Sequence, residues 1–447
     1  MNDQAGRFSP YHDLDPSRRR FLALAAASAA ATTLPAHAAR KEPVRTTARI
    51  VIAGAGAAGL ATASRLAAAL DGAQITIIDT RMQHWYQPGF TLVGSGVKPA
   101  HYVVSNTADY VPSSVEWLQE SVAEIDPEAK KVVTSRGKSV PYDFLVVATG
   151  LTLRYDEIEG MSPDLIGKEG IASIYNGPEA ALASWQTLSE FIDRGGRGVF
   201  TRPGTEMKCA GAPLKYTFLA EDHATRRGQR GSIQIEYFSN NKVLFSVPIV
   251  HEKVRMLFRE RGIPATYERV LTAIDPGRRI ATFRTPEGSE EQPYDFIHVI
   301  PPMRAPEAVR NSPLPWQTGN WAAEGWMEVD RNTLRHVRYP NVFGVGDIAG
   351  VPKGKTAASV KWQVPVAVDH LIADIAGAQS TQRYEGYTSC PLITRLGRAM
   401  LIEFDYENNL VMSFPGVIAP LEELWVSWVV KTMGLKPTYI SMLRGRA

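Results

Sequence analysis

The sequence contains few cysteines and little net charge. Only two of its 447 residues are cysteine, nine are histidine, and the formal net charge is +3. With no long run of Lys or Arg, this balance argues against nucleic acid as a main partner. The histidines show no metal-ligand spacing, so we predict no metal site. No C-x-x-C-H motif is present, which excludes covalent haem attachment of that type.

The apolar run near the N-terminus is too short to favour a permanent transmembrane helix. Arg18 and Arg19 precede an Ala-rich run to Leu34, and Ala36-His37-Ala38 follows it. This pattern predicts a twin-arginine signal over residues 1–38, hence cofactor loading before export and a periplasmic location. An uncleaved N-terminal anchor is the alternative interpretation.

A glycine-rich turn is the first motif with a chemical meaning. An apolar run over Ala48–Ala53 reads as a buried parallel strand, and an Ala-rich helix is expected from the turn to Leu70. The turn itself is a G-x-G-x-x-G formed by Gly54, Gly56 and Gly59. A second strand, Gln74–Ile78, ends in Asp79, twenty residues after Gly59. Strand, turn, helix and acid in this order predict a dinucleotide site, with Asp79 accepting from a ribose hydroxyl.

Two later segments indicate which dinucleotide is bound. The apolar stretch Tyr142–Gly150 ends in Thr149-Gly150, and Tyr339–Asp347 ends in Gly-Asp. Together with the glycine turn, they resemble the two-dinucleotide-binding-domain flavoproteins of the glutathione-reductase type. The resemblance implies non-covalent FAD, with Asp347 on the ribityl chain and Thr149 and Gly150 beside the flavin. Asp347 could also cap the following helix.

A second α/β unit is expected between these segments. Strands are predicted over 198–201, 233–238 and 294–300, helices over 214–227 and 250–261, and a hairpin around Asp275-Pro276-Gly277. The loop corresponding to a second nucleotide turn, Thr201–Lys208, has one glycine and one proline but no G-x-G-x-x-G. We therefore predict that NADH is not the electron donor.

Both cysteines occur in Gly/Pro/Ser-rich stretches, which predicts exposed turns. Cys209 lies in EMKCAGAP, directly after the loop without a phosphate cradle, and Cys390 lies in GYTSCPLI. One interpretation is a redox pair beside the flavin, with Lys208 lowering the thiol pKa. The other is a structural disulfide of an exported protein.

Most of the chain after residue 38 resembles the sulfide:quinone oxidoreductases, in the branch that contains the mitochondrial enzymes. The matching stretches are QPGFTLVGSG (87–96), KCAGAPLK (208–215), PPM (301–303), RYPNVFGVGD (338–347), KTAA (355–358), GYTSCPL (386–392) and EFDY (403–406). Many bacterial members carry a third cysteine, and its absence here excludes flavin attachment through it.

The resemblance implies a mechanism and a set of roles. Sulfide opens a bridge between Cys209 and Cys390, Cys390 keeps the sulfane sulfur, and Cys209 faces FAD. Lys355 places positive charge near the flavin, unless it is only a surface lysine. Phe404 and Tyr406 are the candidates for the quinone slot. The implied partners are sulfide, ubiquinone or menaquinone, an unidentified sulfane-sulfur acceptor and a membrane surface, and the chain could form a homo-oligomer.

The C-terminal segment is rich in aromatic and apolar residues. From Leu421 onwards an apolar stripe, with Lys431, Lys436, Arg444 and Arg446 flanking it, predicts a monotopic interfacial helix pair peripheral to the inner membrane. A dimer interface or a core helix is the alternative. The expected domains are a signal (1–38), a first FAD-binding segment (39–155), a second Rossmann-like domain with Cys209 (156–310), a second FAD-binding segment (311–385) and a quinone/membrane region with Cys390 (386–447).

Three other functional classes remain open. The flavoprotein subunit of a flavocytochrome c sulfide dehydrogenase also combines export, FAD and a cysteine pair, but would not need the aromatic C-terminus. A type II NADH dehydrogenase would need the missing glycine turn. A non-enzymatic flavoprotein would have no need for two thiols at the expected flavin face.

Overall fold

The computed structural model describes residues 42–447, and the predicted signal over 1–38 lies outside them. The chain forms two α/β units, each built on a five-stranded parallel sheet, followed by a C-terminal region. This architecture confirms the predicted fold class of two Rossmann-like units.

The first sheet lies at the centre of the larger hydrophobic core. Its strands are short apolar runs buried on both faces, as parallel sheets require. Helices Ala57–Ala69 and Ala357–Ile375 pack against each other beside it. In spatial order the strands are Val342–Gly344, Phe144–Val147, Arg49–Ala53, Gln74–Ile78 and Val115–Leu118. Because Phe144–Val147 lies between Val342–Gly344 and Arg49–Ala53, the three predicted FAD motifs end at one sheet edge.

The second unit repeats the arrangement between residues 171 and 298. Its sheet has the order Ile171–Ala172, Phe296–His298, Gly196–Phe200, Ile233–Phe238 and Ala265–Thr266. The helices are Pro178–Arg194, Ala212–Arg226 and Pro248–Glu260, each with proline in its first turn. An antiparallel meander of Val270–Asp275, Ile280–Thr285 and Gly288–Pro293 confirms the predicted hairpin.

Smaller sheets and helices surround the two parallel sheets. A three-stranded antiparallel sheet is formed by Val122–Asp126, Lys131–Thr134 and Ser139–Pro141. Two-stranded pairs join Val44–Arg45 to Leu70–Asp71, Gln83–Trp85 to Val104–Asn106, and Thr152–Leu153 to Met303–Arg304. Short helices occupy Phe90–Val93, Glu307–Arg310 and Gly319–Glu324.

The C-terminal region begins with an antiparallel hairpin, Thr388–Arg395 with Arg398–Phe404, which packs on helix Ala212–Arg226. The predicted exposed turn at Cys390 is wrong, because Cys390 lies in the first strand of this hairpin and is 7% exposed. Pro391 is tolerated in that strand because Thr388–Arg395 is an edge strand that pairs on one side only.

The chain ends in a helical segment with three successive sections. Helix Trp425–Val429, a π-helical turn Val430–Gly434 and helix Leu435–Leu443 follow one another directly. Among residues 42–447, none of the helices combines the length and apolar character needed to cross a bilayer.

Candidate active site

A cavity of about 570 Å³ collects residues from both units and from the C-terminal region. Most of the predicted site residues that line it come from loops following parallel strands, where α/β proteins usually bind ligands. Those residues are Gly56, Thr149, Gly150, Asp347, Lys355 and Cys209.

The three glycines of the first turn have different functions. Gly54 has φ +108°, and a Cβ there would lie 2.5 Å from the Ala148 carbonyl oxygen. A Cβ on Gly59 would lie 1.8 Å from the Gly54 carbonyl oxygen, so these two glycines allow strand and helix to pack closely. A Cβ on Gly56 would meet only Arg81 Nη2, at 3.6 Å, and Gly56 lines the cavity. Gly56 is therefore where a pyrophosphate can approach the helix N-terminus.

Asp79 ends the second strand beside this turn. Its carboxylate accepts from the Ala55 N–H at 2.7 Å and from Arg81 Nη2 at 3.0 Å. Burial would raise the pKa of Asp79, but the Arg81 guanidinium and the two N–H groups lower it below its ordinary value. Arg81 also donates its backbone N–H at 2.8 Å and its Nε at 3.3 Å, so four donors occupy the carboxylate and a ribose hydroxyl would replace one of the Arg81 bonds. Arg81 was not predicted, although it follows the acid by two residues.

The other end of the cavity has polar groups that fit a flavin. Thr149 Oγ1 is buried and has no hydrogen-bond partner among residues 42–447, and a Cβ on Gly150 would meet none of these residues within 4 Å. Burial raises the pKa of Asp347, while Lys208 and Lys355 oppose this shift. Together with the glycine turn, these groups form a site whose donor and acceptor chemistry fits FAD.

Lys355 is not a surface lysine. It is 7% exposed, and its Nζ donates to the Asp347 carbonyl oxygen at 2.7 Å and lies 3.7 Å from the centroid of the Trp326 ring. Burial lowers its pKa to about 8. Lys355 therefore supports the Asp347 loop and keeps a cation next to the cavity.

Cys209 lies in the loop that replaces a second nucleotide turn. Its backbone has φ +49°, and its N–H donates to the Lys355 carbonyl oxygen at 2.9 Å, which ties the loop to the first unit. Lys215 Nζ lies 3.4 Å from Cys209 Sγ. The lysine in contact with this thiol is therefore Lys215, and the predicted Lys208 donates to Gln87 Oε1 at 2.7 Å. Lys215 follows Cys209 by six residues. The first turn of helix Ala212–Arg226 brings the Lys215 side chain back toward the Cys209 loop.

Cys390 reaches the same place from the C-terminal hairpin. A Cβ on Gly211 would lie 2.1 Å from Cys390 Sγ, so the glycine allows this close approach. Burial raises the pKa of Cys390, and the Lys215 ammonium opposes that shift. Burial would lower the pKa of Lys215, but both cysteines raise it above its ordinary value. Neither cysteine forms a disulfide in this structure.

Lys431 is a further site residue that was not predicted. We expected it to flank a surface stripe, but it is 2% exposed and its Nζ donates to the Pro88 carbonyl oxygen at 2.7 Å. Burial, and to a smaller extent the nearby Lys215 ammonium, lowers the pKa of Lys431 to about 7. The π-helical turn that contains Lys431 interrupts the regular α-helical periodicity on which the stripe was based.

Phe404 and Tyr406 do not line the cavity. Phe404 packs edge-on against Phe245, with ring centroids 5.7 Å apart, and Tyr406 packs against Tyr384 at 5.4 Å. Successive side chains of a strand point to opposite faces, so Leu401 and Glu403 face the cavity while Phe404 faces away. The mouth is instead lined by Trp362, Tyr387 and Phe414, and the rings of Trp362 and Tyr387 are 5.3 Å apart.

Known proteins resemble this chain over most of its length. Residues 48–176 match the family model "Pyridine nucleotide-disulphide oxidoreductase". The mitochondrial sulfide:quinone oxidoreductase of Dictyostelium discoideum is 36% identical over 84% of this chain and 81% of its own length. That of Mus musculus is 34% identical over 82% and 80%. The structure of the Aquifex aeolicus sulfide:quinone oxidoreductase superposes with a TM-score of 0.71 at 23% identity, covering 90% of this chain and 92% of that one.

The glycine turn, the unpartnered flavin-side groups and these similarities point to one conclusion. The chain is an FAD-dependent oxidoreductase and belongs to the sulfide:quinone oxidoreductase family.

Proposed function

We propose that the chain oxidises sulfide at Cys209 and Cys390 and passes two electrons through FAD to a membrane quinone. The observation that carries the proposal is the shared environment of the two thiols. Lys215 contacts Cys209 and interacts electrostatically with both sulfurs, and the Gly211 backbone leaves space for Cys390 Sγ. Two thiols that share one cation beside a flavin site form a unit that can open and re-form a bridge.

The chemistry balances around this pair. Hydrosulfide attacks the Cys209–Cys390 bridge, which leaves a persulfide on one cysteine and a thiolate on the other. An acceptor nucleophile removes the sulfane sulfur, and the two cysteines release two electrons when the bridge re-forms. Bound FAD supplies the two-electron acceptor for that step and the donor to quinone.

We assign the persulfide to Cys390 and the flavin-facing thiolate to Cys209. Cys209 lines the cavity, whereas Cys390 lies behind it, in a strand packed on helix Ala212–Arg226. Lys215 stabilises negative charge on either sulfur. For the FAD itself we propose that Gly56 and Asp79 hold the dinucleotide, and that Thr149, Gly150, Asp347 and Lys355 hold the flavin end.

Quinone is proposed to enter at the mouth formed by Trp362, Tyr387 and Phe414. Trp362 is 50% and Phe414 43% exposed, and Met412 and Met433 are exposed as well. Exposed apolar side chains around a cavity mouth suit a ligand that arrives from lipid. A soluble haem protein as acceptor would not need such a rim. We propose that this rim contacts the membrane surface, with ubiquinone or menaquinone as the acceptor.

A membrane test should use point substitutions. Truncation from Leu421 would also remove Tyr439 and Leu443, which are buried in the core. Replacing Phe414 and Met433 by Asp should release the protein from liposomes in flotation while sulfide still reduces its FAD. Unchanged flotation of this variant would contradict the assignment of the rim.

The central test separates the two half-reactions. Anaerobic addition of excess sulfide, which also serves as the nucleophile that accepts the sulfane sulfur, should abolish the visible flavin absorbance of the FAD-loaded protein, and a quinone analogue should restore it. Sulfide that leaves the flavin oxidised would contradict the proposal. Restoration by a haem protein but not by quinone would favour a flavocytochrome-type function.

Location, acceptor and domain boundaries remain predictions. Twin-arginine export depends on residues 1–38 alone, and relatives named as mitochondrial argue against a periplasmic location. Fusion of residues 1–45 to a reporter, followed by cell fractionation, tests it. The sulfane-sulfur acceptor and homo-oligomerisation are equally unassigned. The domain division stands as proposed, with the second unit as the source of Cys209 and residues 386–447 as the source of Cys390.

A further inference from the structure

A buried carboxylate lies at the apolar mouth of the cavity. Glu403 is 4% exposed and lines the cavity from the second strand of the C-terminal hairpin. Its carboxylate accepts hydrogen bonds from the Tyr387 hydroxyl, from the Ser413 N–H at 2.9 Å and from the Ser413 hydroxyl at 2.6 Å. A carboxylate placed beside Trp362 and Phe414 is unexpected in an apolar site unless it has a function.

Ser413, Glu403 and Tyr387 connect the cavity to solvent. Tyr387 and Ser413 line the cavity together with Glu403, and the Tyr387 ring packs on Trp362. Ser413 is also exposed on the outer side, in the loop after the hairpin. A hydrogen-bonded series therefore runs from the exposed Ser413 through Glu403 to the Tyr387 hydroxyl.

Reduction of a quinone to a quinol consumes two protons as well as two electrons. The electrons come from the reduced FAD of the proposed function, but an apolar mouth supplies no protons. A carboxylate can take up a proton from solvent and release it, and a tyrosine hydroxyl can pass it on.

We propose that Glu403, Tyr387 and Ser413 form the proton path to the quinone, an inference that rests on the proposed function. Solvent at Ser413 protonates Glu403, which becomes a donor to the Tyr387 oxygen. The Tyr387 hydroxyl then donates its proton to the quinone oxygen while the Glu403 proton replaces it. One solvent proton is consumed for each proton that the quinone gains.

The electrostatics of Tyr387 favour a concerted transfer. Burial, and then the hydrogen bond to Glu403, raise the pKa of Tyr387 well above its ordinary value. A free phenolate is thus disfavoured, so Tyr387 must receive a proton as it gives one away.

The test measures the two half-reactions of the FAD-loaded enzyme by stopped flow. In Glu403→Gln and Tyr387→Phe, flavin reduction by sulfide should keep the wild-type rate, while reoxidation by a quinone analogue slows by about 10²-fold. Reoxidation by ferricyanide, which takes electrons without protons, should be unaffected. The solvent deuterium isotope effect on quinone reoxidation should increase in Glu403→Gln. The exposed Glu407, which pairs with Arg331, provides the matched control Glu407→Gln with wild-type rates in all three reactions.

The outcomes separate the two proposals. Equal slowing with ferricyanide and with quinone would mean that Glu403 only maintains the structure, which overturns the proton path. Wild-type quinone reoxidation in Glu403→Gln would overturn it as well. Failure of sulfide to reduce the wild-type flavin would instead overturn the proposed function.

Discussion

The two Rossmann-like units differ most in the loop after their central strand. In the first unit, strand Arg49–Ala53 passes through a tight glycine turn into helix Ala57–Ala69. In the second, strand Gly196–Phe200 is followed by residues 201–211 before helix Ala212–Arg226 begins. The longer loop has no phosphate cradle and carries Cys209 into the cavity.

This difference shows how the same fold can place a thiol at the position where a glycine turn would otherwise bind a nucleotide. A phosphate cradle needs backbone N–H groups at a helix N-terminus, close to the preceding strand. When the helix starts later, the loop can reach across to the other unit, and the Cys209 N–H bonds to Lys355 there. In the proposed function, thiols of the chain thus take the place of a bound nucleotide and pass electrons from sulfide to FAD.

The strongest test of this comparison replaces each sulfur separately. Cys209→Ser and Cys390→Ser should each lower sulfide:quinone turnover by on the order of 10³ or more, because each sulfur is a reactant. Both variants should keep FAD and melt within a few degrees of wild type. Steady-state turnover, FAD content and thermal unfolding measure these effects.

The opposite pattern identifies a structural disulfide. Loss of such a bridge typically lowers the free energy of unfolding by ~2–4 kcal/mol and leaves activity in the folded fraction. Retained turnover with a clearly lower melting temperature in Cys209→Ser would therefore remove the basis of the sulfide proposal.

A glycine substitution in each unit tests whether only the first one cradles a nucleotide. Gly56→Val should yield protein almost without FAD, since its side chain would occupy the space of the pyrophosphate. The comparison variant Gly204→Ala, in the loop of the second unit, should keep FAD because its Cβ would meet only side-chain atoms, of Val270 at 3.1 Å and of Arg284 at 3.8 Å. The ratio of FAD to purified protein measures both, and a yellow Gly56→Val protein would mean that the turn is only structural.

The missing cradle of the second unit also predicts a poor reaction with pyridine nucleotides. NADH and NADPH should reduce the flavin at least about 10²-fold more slowly than sulfide does, since neither would be held near it. Stopped-flow absorbance with each reductant provides the comparison. Fast reduction by NADH would show that the long loop binds a nucleotide without a G-x-G-x-x-G motif.

The FAD half of the site could be predicted from the sequence because it depends on local motifs. Gly56, Asp79 and Thr149 follow strands whose apolar runs are evident, and parallel strands bring their ends together. The predicted helix over 214–227 likewise corresponds to Ala212–Arg226.

The sulfur and quinone ends depend on contacts between distant segments. No local signal in the sequence marks Lys215 or Lys431 as a buried lysine that interacts with the cysteines, and Lys431 was expected to flank a surface stripe. The orientation of Phe404 depends on the register of the hairpin, where a shift of one residue would reverse its direction. No motif marks that register.

Lys215 should have a moderate, pH-dependent effect. Its ammonium lowers the pKa of Cys390 against the effect of burial, so Lys215→Met should raise that pKa further. A higher pKa leaves less Cys390 thiolate at neutral pH, so flavin reduction by sulfide should slow by several-fold. The deficit should shrink as the pH rises through the pKa of Cys390, whereas Lys353→Met should react like wild type. A deficit that is constant with pH would indicate lost packing instead of lost charge.

Replacement of Lys431 is expected to give the smallest of these effects, a change in stability that depends on pH. Burial lowers its pKa from 10.5 to about 7, so between these values the unfolded chain binds a proton that the folded chain does not. Stability therefore rises with pH across this window, and below pH 7 the folded protein bears the full cost of a buried ammonium. Lys431→Met should raise the melting temperature of the FAD-loaded protein by a few degrees below pH 7, and the gain should decrease toward pH 10. Lys361→Met, at a half-exposed position, removes the same charge and should show no such trend. An increase in melting temperature that does not change with pH would contradict this account. It would mean that the Lys431 amine is already neutral in the folded protein at low pH, or that the apolar packing of the side chain alone causes the increase.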